Sequence, residues 1–527
     1  MASIAMLCLV TAAIAVRLPG VFWLIGYGHE SDYSFHPDDN RFIIFAKNFH
    51  DPFAKPGDGY LLFMPTQLFM LNLFLHKIVH IEVNSVIVLR CISMAYAILS
   101  IILSYVFLIS LGFSRFVSIL SSFFLAFAPL HIILSHFGTP DMSVFFLFYS
   151  LVFAAWRYRM SNKEFWFYMT LALAGITMAD KFFLPALVPP TIIVFNQPAD
   201  KIWQTSFISL CVIVTFFCGA SFFNFTPWDL LQLLRLLTFD NLLITGGKSP
   251  LQQIILYPWD IIACSGAITS GLALIGCILL FHRSGFSRLY GFIDELRRKK
   301  ITLSTIVTQM KIWIRLPVSV IILPLLFHAV LIVMAQVHFS RHILIFVPIV
   351  CVLAALAIET VRERFRFKSI PLQVLGAVVL YTMLTIQFAN GLATDWIYPT
   401  DIRAKLGDFL TEGQLADKTS TFSGFTYLRD VSVTHNIPET PIFISCDIEY
   451  RRYILAGQGI PVVHLFGGKI RTDFFISLLT GQTNYVTVFD IKRNRLGVED
   501  YLAEKGWLPN IDTYVPNECR AFQKKGS

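Results

Sequence analysis

The chain has 527 residues, of which 55% are hydrophobic and only 14% are charged, and its mean hydropathy is +0.64. This composition excludes a water-soluble globular protein and predicts a polytopic membrane protein. The formal net charge of +8 arises in the apolar part of the chain and its connecting loops, because acids and bases nearly balance after about residue 393. The charge is therefore a signal of membrane topology and gives no support to nucleic-acid binding.

Apolar runs long enough to cross a bilayer occur about eleven times, if a crossing takes about 20 residues. The first run lacks the basic start of a signal peptide, so we expect it to be a retained transmembrane helix. Basic loops should face the cytoplasm, and eleven crossings then place the N-terminus inside and the C-terminal tail outside. The predicted spans are residues 3–25, 86–110, 116–134, 141–157, 165–180, 182–196, 204–223, 258–281, 316–336, 342–360 and 371–391.

Three connecting segments carry further predictions. Residues 26–85 form an outer loop, in which the apolar but interrupted stretch Tyr60 to Val79 is predicted to be an interfacial helix. Residues 224–257 form a second outer loop with an amphipathic segment that touches the membrane. Residues 283–315 form a long basic loop in the cytoplasm.

Hydropathy falls after about residue 393, which predicts a transmembrane module at 1–392 and an extracytoplasmic domain at 393–527. In the second part, apolar β-branched runs predict two buried strands, at 440–446 and 485–489. Residues 401–410 and 498–505 are predicted helices. The expected fold class is mainly α, a bundle of about 11 transmembrane helices with interfacial helices, followed by a small α/β domain. That domain has no Gly-rich phosphate loop after a strand, which argues against nucleotide binding.

Adjacent carboxylates at Asp38 and Asp39 follow the first apolar run. Two acids beside a bilayer are costly unless they bind a cation or take part in chemistry. A Pro-initiated turn in a solvated loop explains the pair equally well, because Asp and Pro are common turn residues. The two residues alone therefore leave both explanations open.

The predicted topology brings further charges to the same membrane face, namely Asp141, Lys181 and Arg341. A carboxylate can take a proton from an attacking hydroxyl, and cations can neutralise a phosphate. Each residue also has a plainer explanation when taken singly. Asp141 suits a helix N-terminus, and the two long cationic side chains suit interfacial snorkelling.

Several short motifs occur in an informative order. They are Arg17-Leu18, Phe35-His36-Pro37-Asp38-Asp39, Val88-Leu89-Arg90, Thr139-Pro140-Asp141, Ala179-Asp180-Lys181, and Phe339-Ser340-Arg341-His342-Ile343-Leu344 with Pro348. This order resembles the C superfamily of membrane glycosyltransferases (GT-C). It is most similar to the lipid-phosphosugar-dependent branch related to protein O-mannosyltransferases and aminoarabinose lipid A transferases. Two residues depart from the pattern: Asp39 stands where the family usually carries Glu, and His342 where it carries Tyr.

The resemblance implies an inverting transfer of a sugar from a polyprenyl or dolichyl monophosphate to a hydroxyl of an extracytoplasmic acceptor, which is a protein, a lipid or a glycan. Asp38 would be the general base, with Asp39 and Asp141 shaping the acceptor side. Lys181 and Arg341 would hold the donor phosphate, and Lys55 in the outer loop would close over it. A single displacement needs one base and a stabilised leaving phosphate, and no covalent nucleophile. The enzyme would be a multi-pass protein, in a bacterial inner or plasma membrane rather than the endoplasmic reticulum, with its active site on the outer or lumenal face.

Metal dependence is a separate question. His36 and His136 near the acids are weak candidates for a divalent metal site, since O and N ligands suit Mg, Mn or Zn. Arg and Lys can neutralise a monophosphate without a metal, so we expect no metal and no other cofactor.

Two other function classes share the polytopic layout. A transporter would carry polar residues deep in its spans and inverted repeats, and the sequence shows neither. A flippase or polymerase of lipid-linked glycans would not explain the paired acid followed by an interfacial helix and an external domain. The glycosyltransferase is therefore the favoured prediction.

Overall fold

We describe a computed structural model of the chain. The structure describes residues 2–22, 42–43, 45–47, 63–181, 184–220, 249–284, 314, 316–334, 340–365 and 370–396, together with five strands between 442 and 524. The chain divides into two compact units, one of which consists of Met1–Val21 and Phe42–Trp396. The C-terminal strands belong to the other unit. The predicted boundary between a module at 1–392 and a domain at 393–527 stays a prediction.

The described residues of the first unit form helices and the short connections between them. Its helices are α1 (Ala2–Val21), α2 (Phe63–Phe74), α3 (Ser85–Ser110), α4 (Arg115–Ala126), α5 (Pro129–Ser135), α6 (Asp141–Ser161), α7 (Glu164–Asp180), α8 (Val188–Phe195), α9 (Ile202–Ala220), α10 (Pro250–Ser265), α11 (Ala267–Ser284), α12 (Ser319–Met334), α13 (Val347–Phe365) and α14 (Ile370–Trp396). A π-helical turn (Leu75–Val79) follows α2, and 3₁₀ segments precede α8 (Leu184–Leu187) and α13 (Ser340–Phe346). The mainly α fold class is confirmed.

Each of the eleven predicted apolar spans contains a described helix. Five helices are long and apolar enough to cross a membrane, or seven spans in all when each of two bent helix pairs is included, among the residues that the structure describes. The protein is a multi-pass membrane protein.

Two predicted spans are not straight. The span at 116–134 consists of α4 and α5, which meet at 58°, and the span at 258–281 is made by α10 and α11, which meet at 117°. Helix α10 also begins at Pro250, inside the predicted outer loop 224–257. The amphipathic segment predicted in that loop lies outside the described residues. Hydropathy identified these apolar runs correctly, but it carries no information about bends within them.

Helix starts follow local capping chemistry. The side chain of Asn84 accepts a hydrogen bond from Val86 N at the start of α3, and Ser114 caps α4 in the same way. Ser249 forms a capping box with Gln252 at the start of α10, with Pro250 at the first helical position. These side chains satisfy backbone N–H groups that have no partner within the helix.

One buried amide joins the two helix breaks. Gln387 of α14 donates from Nε2 to the carbonyl oxygen of Phe127, between α4 and α5, at 2.9 Å. The same nitrogen lies 3.3 Å from the carbonyl oxygen of Ser265, at the end of α10. Gly266 follows with φ of 89°, and a Cβ there would lie 2.9 Å from Gln387 Oε1. Glycine is therefore required at the sharper bend, both for its backbone conformation and for space.

A buried arginine supports the break between α4 and α5 from the other side. Arg17 of α1 donates to the carbonyl oxygen of Ala126 at 2.7 Å and to Nδ1 of His131 at 2.8 Å. Because arginine has only donors, His131 carries its proton on Nε2 and donates it to Ser100 Oγ, 2.9 Å away. Ser100 in turn donates to the carbonyl oxygen of Ala97. The broken span is thus held by an ordered chain of hydrogen bonds.

The C-terminal strands form one five-stranded mixed sheet in the order β2-β1-β3-β5-β4. Its strands are β1 (Ile442–Ser445), β2 (Val462–His464), β3 (Tyr485–Phe489), β4 (Trp507–Pro509) and β5 (Cys519–Lys524). β1 is parallel to β2 and β3, with Ile442 opposite Val486, and β5 is antiparallel to β3 and β4. The predicted strands at 440–446 and 485–489 are confirmed. The predicted helices at 401–410 and 498–505 lie outside the described residues.

The bridge through Gln387 can be tested by substitution. Gln387→Leu introduces an apolar side chain of similar size and leaves the carbonyl groups of Phe127 and Ser265 without their donor. We expect the free energy of unfolding to fall by roughly 2–4 kcal/mol, because a buried acceptor without a partner costs its full desolvation penalty. The measurement is unfolding of the purified protein in detergent. Thr385→Leu, at an exposed position of the same helix, is the matched control and should stay within about 0.5 kcal/mol of the original; equal losses in both variants would contradict the bridge.

Candidate active site

Three charged side chains that the sequence analysis singled out meet at one place. Lys181 Nζ lies 2.8 Å from Asp141 Oδ1, and Arg341 Nη1 lies 3.9 Å from Asp141 Oδ2. The Asp141 side chain is 7% exposed, whereas those of Lys181 and Arg341 are 29% and 27% exposed. The carboxylate is therefore covered, while both cationic side chains are partly exposed. We call these three residues the charge cluster.

The helix ends bring the first pair together. Asp141 is the first residue of α6, where a carboxylate is favoured by the helix dipole, and Lys181 follows the last residue of α7, where a cation is favoured. Helices α6 and α7 pack against each other. The start of one and the end of the other thus lie side by side, and the two side chains form an ion pair.

Arg341 is positioned by two side chains that hold the 3₁₀ segment Ser340–Phe346. Tyr149 donates from its hydroxyl to the carbonyl oxygen of Ile345 at 2.6 Å. His328 Nε2 lies 3.0 Å from the carbonyl oxygen of His342, and its ring stacks on Phe346. Sequence reasoning missed both side chains. The sequence does indicate His328, because it is a single histidine in the apolar helix α12 and polar residues within membrane spans usually have a specific partner or function.

A second buried carboxyl lies beside the charge cluster. Asp180, the last residue of α7, is 1% exposed, and its Oδ2 accepts a short hydrogen bond from the Ser143 hydroxyl. Ser143 Oγ also lies 3.0 Å from the carbonyl oxygen of Pro140. The sequence analysis used Asp180 only as part of a motif.

The other predicted site residues have different outcomes. Asp38, Asp39, Lys55 and His36 lie outside the described residues, so their predicted roles stay predictions. His136 is described, and it lies in the short connection between α5 and α6, outside the spans.

The surroundings of His136 are cationic. Its ring packs against Gly20, and burial together with the positive charges of Arg17 and Arg90 lowers its pKa. Arg90 itself is buried and donates to the carbonyl oxygen of Val21 at 3.3 Å. A cationic environment disfavours a metal ion at His136. No group of three or more potential metal ligands occurs within the described part of the chain.

An apolar groove begins close to Lys181. It has a volume of about 300 Å³ and lies between the segment from Leu184 to Phe195 and helix α12. Its lining residues are Leu184, Leu187, Val188, Thr191, Ile192, Phe195, Ile314, Leu323 and Phe327. Leu184 is three residues from Lys181 in the chain. Phe327 immediately precedes His328, whose ring is close enough to Lys181 to interact with its charge. We call this feature the lateral groove.

The charge cluster suits an anion. Among the residues that the structure describes, two cations meet one carboxylate in this cluster, and the side chains of Lys181 and Arg341 are both partly exposed, as a site for an anion requires. Asp141 is a poor candidate for a general base, because two cations stabilise its ionised form. Its place in the structure is that of a counterion to the two cations.

Comparison with solved structures identifies the fold. The oligosaccharyltransferase of Archaeoglobus fulgidus, in complex with Zn and sulfate, matches 99% of this chain and 73% of its own, with 10% identity and a TM-score of 0.52. ArnT from Cupriavidus metallidurans, bound to undecaprenyl phosphate, matches 99% of this chain and 98% of its own, with 13% identity and a TM-score of 0.48. The Pmt1-Pmt2 O-mannosyltransferase complex of S. cerevisiae, bound to its sugar donor, matches 44% of this chain and 34% of its own, with 16% identity and a TM-score of 0.33.

No protein-family profile and no curated protein matches the sequence. At 10% identity, the match to the oligosaccharyltransferase shows the fold. The chain has the GT-C fold that the order of its motifs predicts.

The Asp141–Lys181 pair can be measured by a double-mutant cycle. Asp141→Ala, Lys181→Ala and the double variant should give a coupling of about 1–2 kcal/mol in unfolding free energy, because the carboxylate is buried but the lysine is partly exposed to solvent. The matched control is the Glu359–Arg362 pair of α13, with an N···O distance of 2.9 Å and an Arg362 side chain that is 54% exposed. Its coupling should stay below about 0.5 kcal/mol. Equal couplings in the two pairs would contradict a special role for burial at Asp141.

Proposed function

We propose that this protein is an inverting glycosyltransferase that moves a sugar from a polyprenyl or dolichyl monophosphate to a hydroxyl of an extracytoplasmic acceptor. The observation that carries the proposal is the charge cluster, with two partly exposed cations beside one buried carboxylate, in a GT-C fold that also has an apolar groove beginning three residues from Lys181. A lipid phosphate requires cationic side chains for its phosphate and an apolar groove for its hydrocarbon chain. Transport or flipping of lipid-linked glycans is the alternative that the experiment below must exclude.

The donor class follows from the charge of the site. A lipid phosphosugar is a phosphodiester with one negative charge, which Lys181 and Arg341 can neutralise. A diphosphate-linked donor would bring further negative charge and would call for more cations or a metal ion. Lys181 and Arg341 can also stabilise the phosphate that leaves, where negative charge develops during the transfer.

The general base is assigned to Asp38, with Asp39 beside it on the acceptor side. A base must accept a proton from the acceptor hydroxyl, and Asp141 is unsuited to this because it is paired with two cations. We therefore give Asp141 the role of orienting Lys181 and Arg341. Lys55 is assigned to closing over the phosphate once the donor is bound.

The lipid tail is assigned to the lateral groove. The groove is lined by apolar side chains along most of α8 and begins at Leu184, three residues from Lys181. A chain that lies there keeps its hydrocarbon out of water while its phosphate reaches the cations. The active site would lie on the outer or lumenal face, and the acceptor would be a protein, a lipid or a glycan on that face.

Transfer can be assayed with the full-length protein in detergent. The substrates are a radiolabelled undecaprenyl- or dolichyl-phosphate sugar and an extract of cell envelopes, and the readout is release of the polyprenyl phosphate. Asp38→Asn should lower kcat by roughly 10²–10⁴-fold, because it removes the base. Lys181→Ala should mainly raise the donor KM, since it removes a phosphate contact, and chelation of divalent metals should leave the rate unchanged.

Lys201→Ala, at an exposed lysine just before α9, is the control for a simple loss of positive charge and should behave like the original protein. Unchanged turnover in Asp38→Asn would disprove the proposed base. Movement of the labelled lipid across vesicle membranes without sugar transfer would replace the proposed function by that of a flippase.

Filling the lateral groove tests the position of the lipid tail. Thr191→Trp places a large side chain at an exposed position that lines the groove. We expect the KM for a long-chain donor to rise by roughly tenfold, which corresponds to about 1.4 kcal/mol, whereas a donor with two isoprene units should be unaffected. Leu210→Trp on α9, a residue 61% exposed and outside the groove, is the control. An equal KM increase for both donor lengths would contradict this placement.

A further inference from the structure

Two non-covalent contacts join the start of α6 to the end of α7. One is the ion pair between Asp141 and Lys181, and the other is the hydrogen bond from the Ser143 hydroxyl to Asp180 Oδ2. Asp180 immediately precedes Lys181, and Ser143 lies two residues after Asp141. The two contacts therefore run side by side between the same helix ends.

The contact with Ser143 is the main polar interaction of Asp180. Within the described part of the chain Asp180 makes no ion pair, and its buried Oδ1 makes no hydrogen bond. A buried carboxyl with so few partners is costly. An alanine or a leucine would fill this position at a lower cost. The carboxyl therefore needs an explanation in terms of what its one strong contact does.

That contact fixes the residue that follows. Lys181 has left the helix, with φ of −143° and ψ of 127°, so its backbone is no longer held by the full pattern of helical hydrogen bonds. Ser143 belongs to the first turn of α6, and its hydroxyl lies within reach of the Pro140 carbonyl oxygen as well. A bond from this rigid turn to Asp180 thus sets the position from which the Lys181 side chain starts.

We propose that Asp180 is a positioning residue for the phosphate site, which acts through Ser143 to hold Lys181 in place beside Asp141. The proposal rests on the proposed function, in which Lys181 binds the donor phosphate. Asp180 itself touches neither donor nor acceptor. Its effect is on binding geometry, where a displacement of about 1 Å can cost as much as 10²-fold in rate.

Kinetics of the full-length protein test this role. Ser143→Ala and Asp180→Ala should each raise the donor KM by roughly 10- to 100-fold with a smaller change in kcat, and the double variant should be no worse than either single one, because both remove the same bond. Ser143→Thr and Asp180→Asn, which keep a donor and an acceptor, should recover most of the loss. In a Lys181→Ala background, Ser143→Ala should no longer change KM. Ser161→Ala, at an exposed serine of the same helix, is the matched control.

A measurement that needs no activity separates this proposal from the proposed function. Lys181 held against Asp141 is shielded from acylating reagents, because its Nζ donates a hydrogen bond to Asp141 Oδ1 at 2.8 Å. Labelling of Lys181 in the intact protein, followed by mass spectrometry, should therefore be several-fold faster in Ser143→Ala than in the original protein or in Ser161→Ala. Ser143→Ala removes a single hydroxyl, so it serves as the test variant if Asp180→Ala does not purify as a folded protein.

The outcomes are distinct. Faster labelling of Lys181 without any sugar transfer by the original protein would uphold the positioning role and reject the proposed function. Unchanged labelling in Ser143→Ala would overturn the positioning role whatever the activity. Asp180→Asn as damaging to KM as Asp180→Ala would also overturn it, since the amide oxygen can still accept the bond from Ser143.

Discussion

A chain inside a bilayer has no water to satisfy its carbonyl groups, and much of this structure follows from how that constraint is met where helices break. The bend between α4 and α5 leaves the carbonyl groups of Ala126 and Phe127 without helical donors. Arg17 supplies one donor and Gln387 the other. Gln387 also reaches the bend between α10 and α11, so four segments that are distant in sequence are tied together by two polar side chains.

The same constraint governs the candidate active site. The 3₁₀ segment that carries Arg341 exposes carbonyl groups, and these are satisfied by Tyr149 from α6 and His328 from α12. Tyr149 lies eight residues after Asp141, two turns along the same face of α6. One helix face therefore provides both the carboxylate that pairs with Arg341 and the hydroxyl that holds the Arg341 segment. The position of a charge at the site depends on how the backbone beneath it is hydrogen-bonded.

The sequence predicted the outline of this arrangement and not its contacts. Hydropathy located the apolar segments, because a span needs only length and apolarity, and the topology put Asp141, Lys181 and Arg341 on one face. The bend at Gly266 was missed, since the side chain that donates to its backbone, Gln387, is 121 positions further along the chain. His136 was considered as a metal ligand from its distance in sequence to acids, whereas its neighbours in space are Arg17 and Arg90. In each case the deciding partner is remote in sequence, and periodicity cannot identify it.

Asp141 affects both the stability of the charge cluster and the chemistry that the cluster can perform. Two cations placed side by side without a counterion would repel each other and would be costly to bury. One buried carboxylate between them offsets that repulsion, while both cationic side chains remain partly exposed. A carboxylate in this position cannot also be a good proton acceptor, because the cations that it stabilises hold it in its ionised form. The proposed mechanism therefore takes its general base from outside the cluster, which is the role that we propose for Asp38.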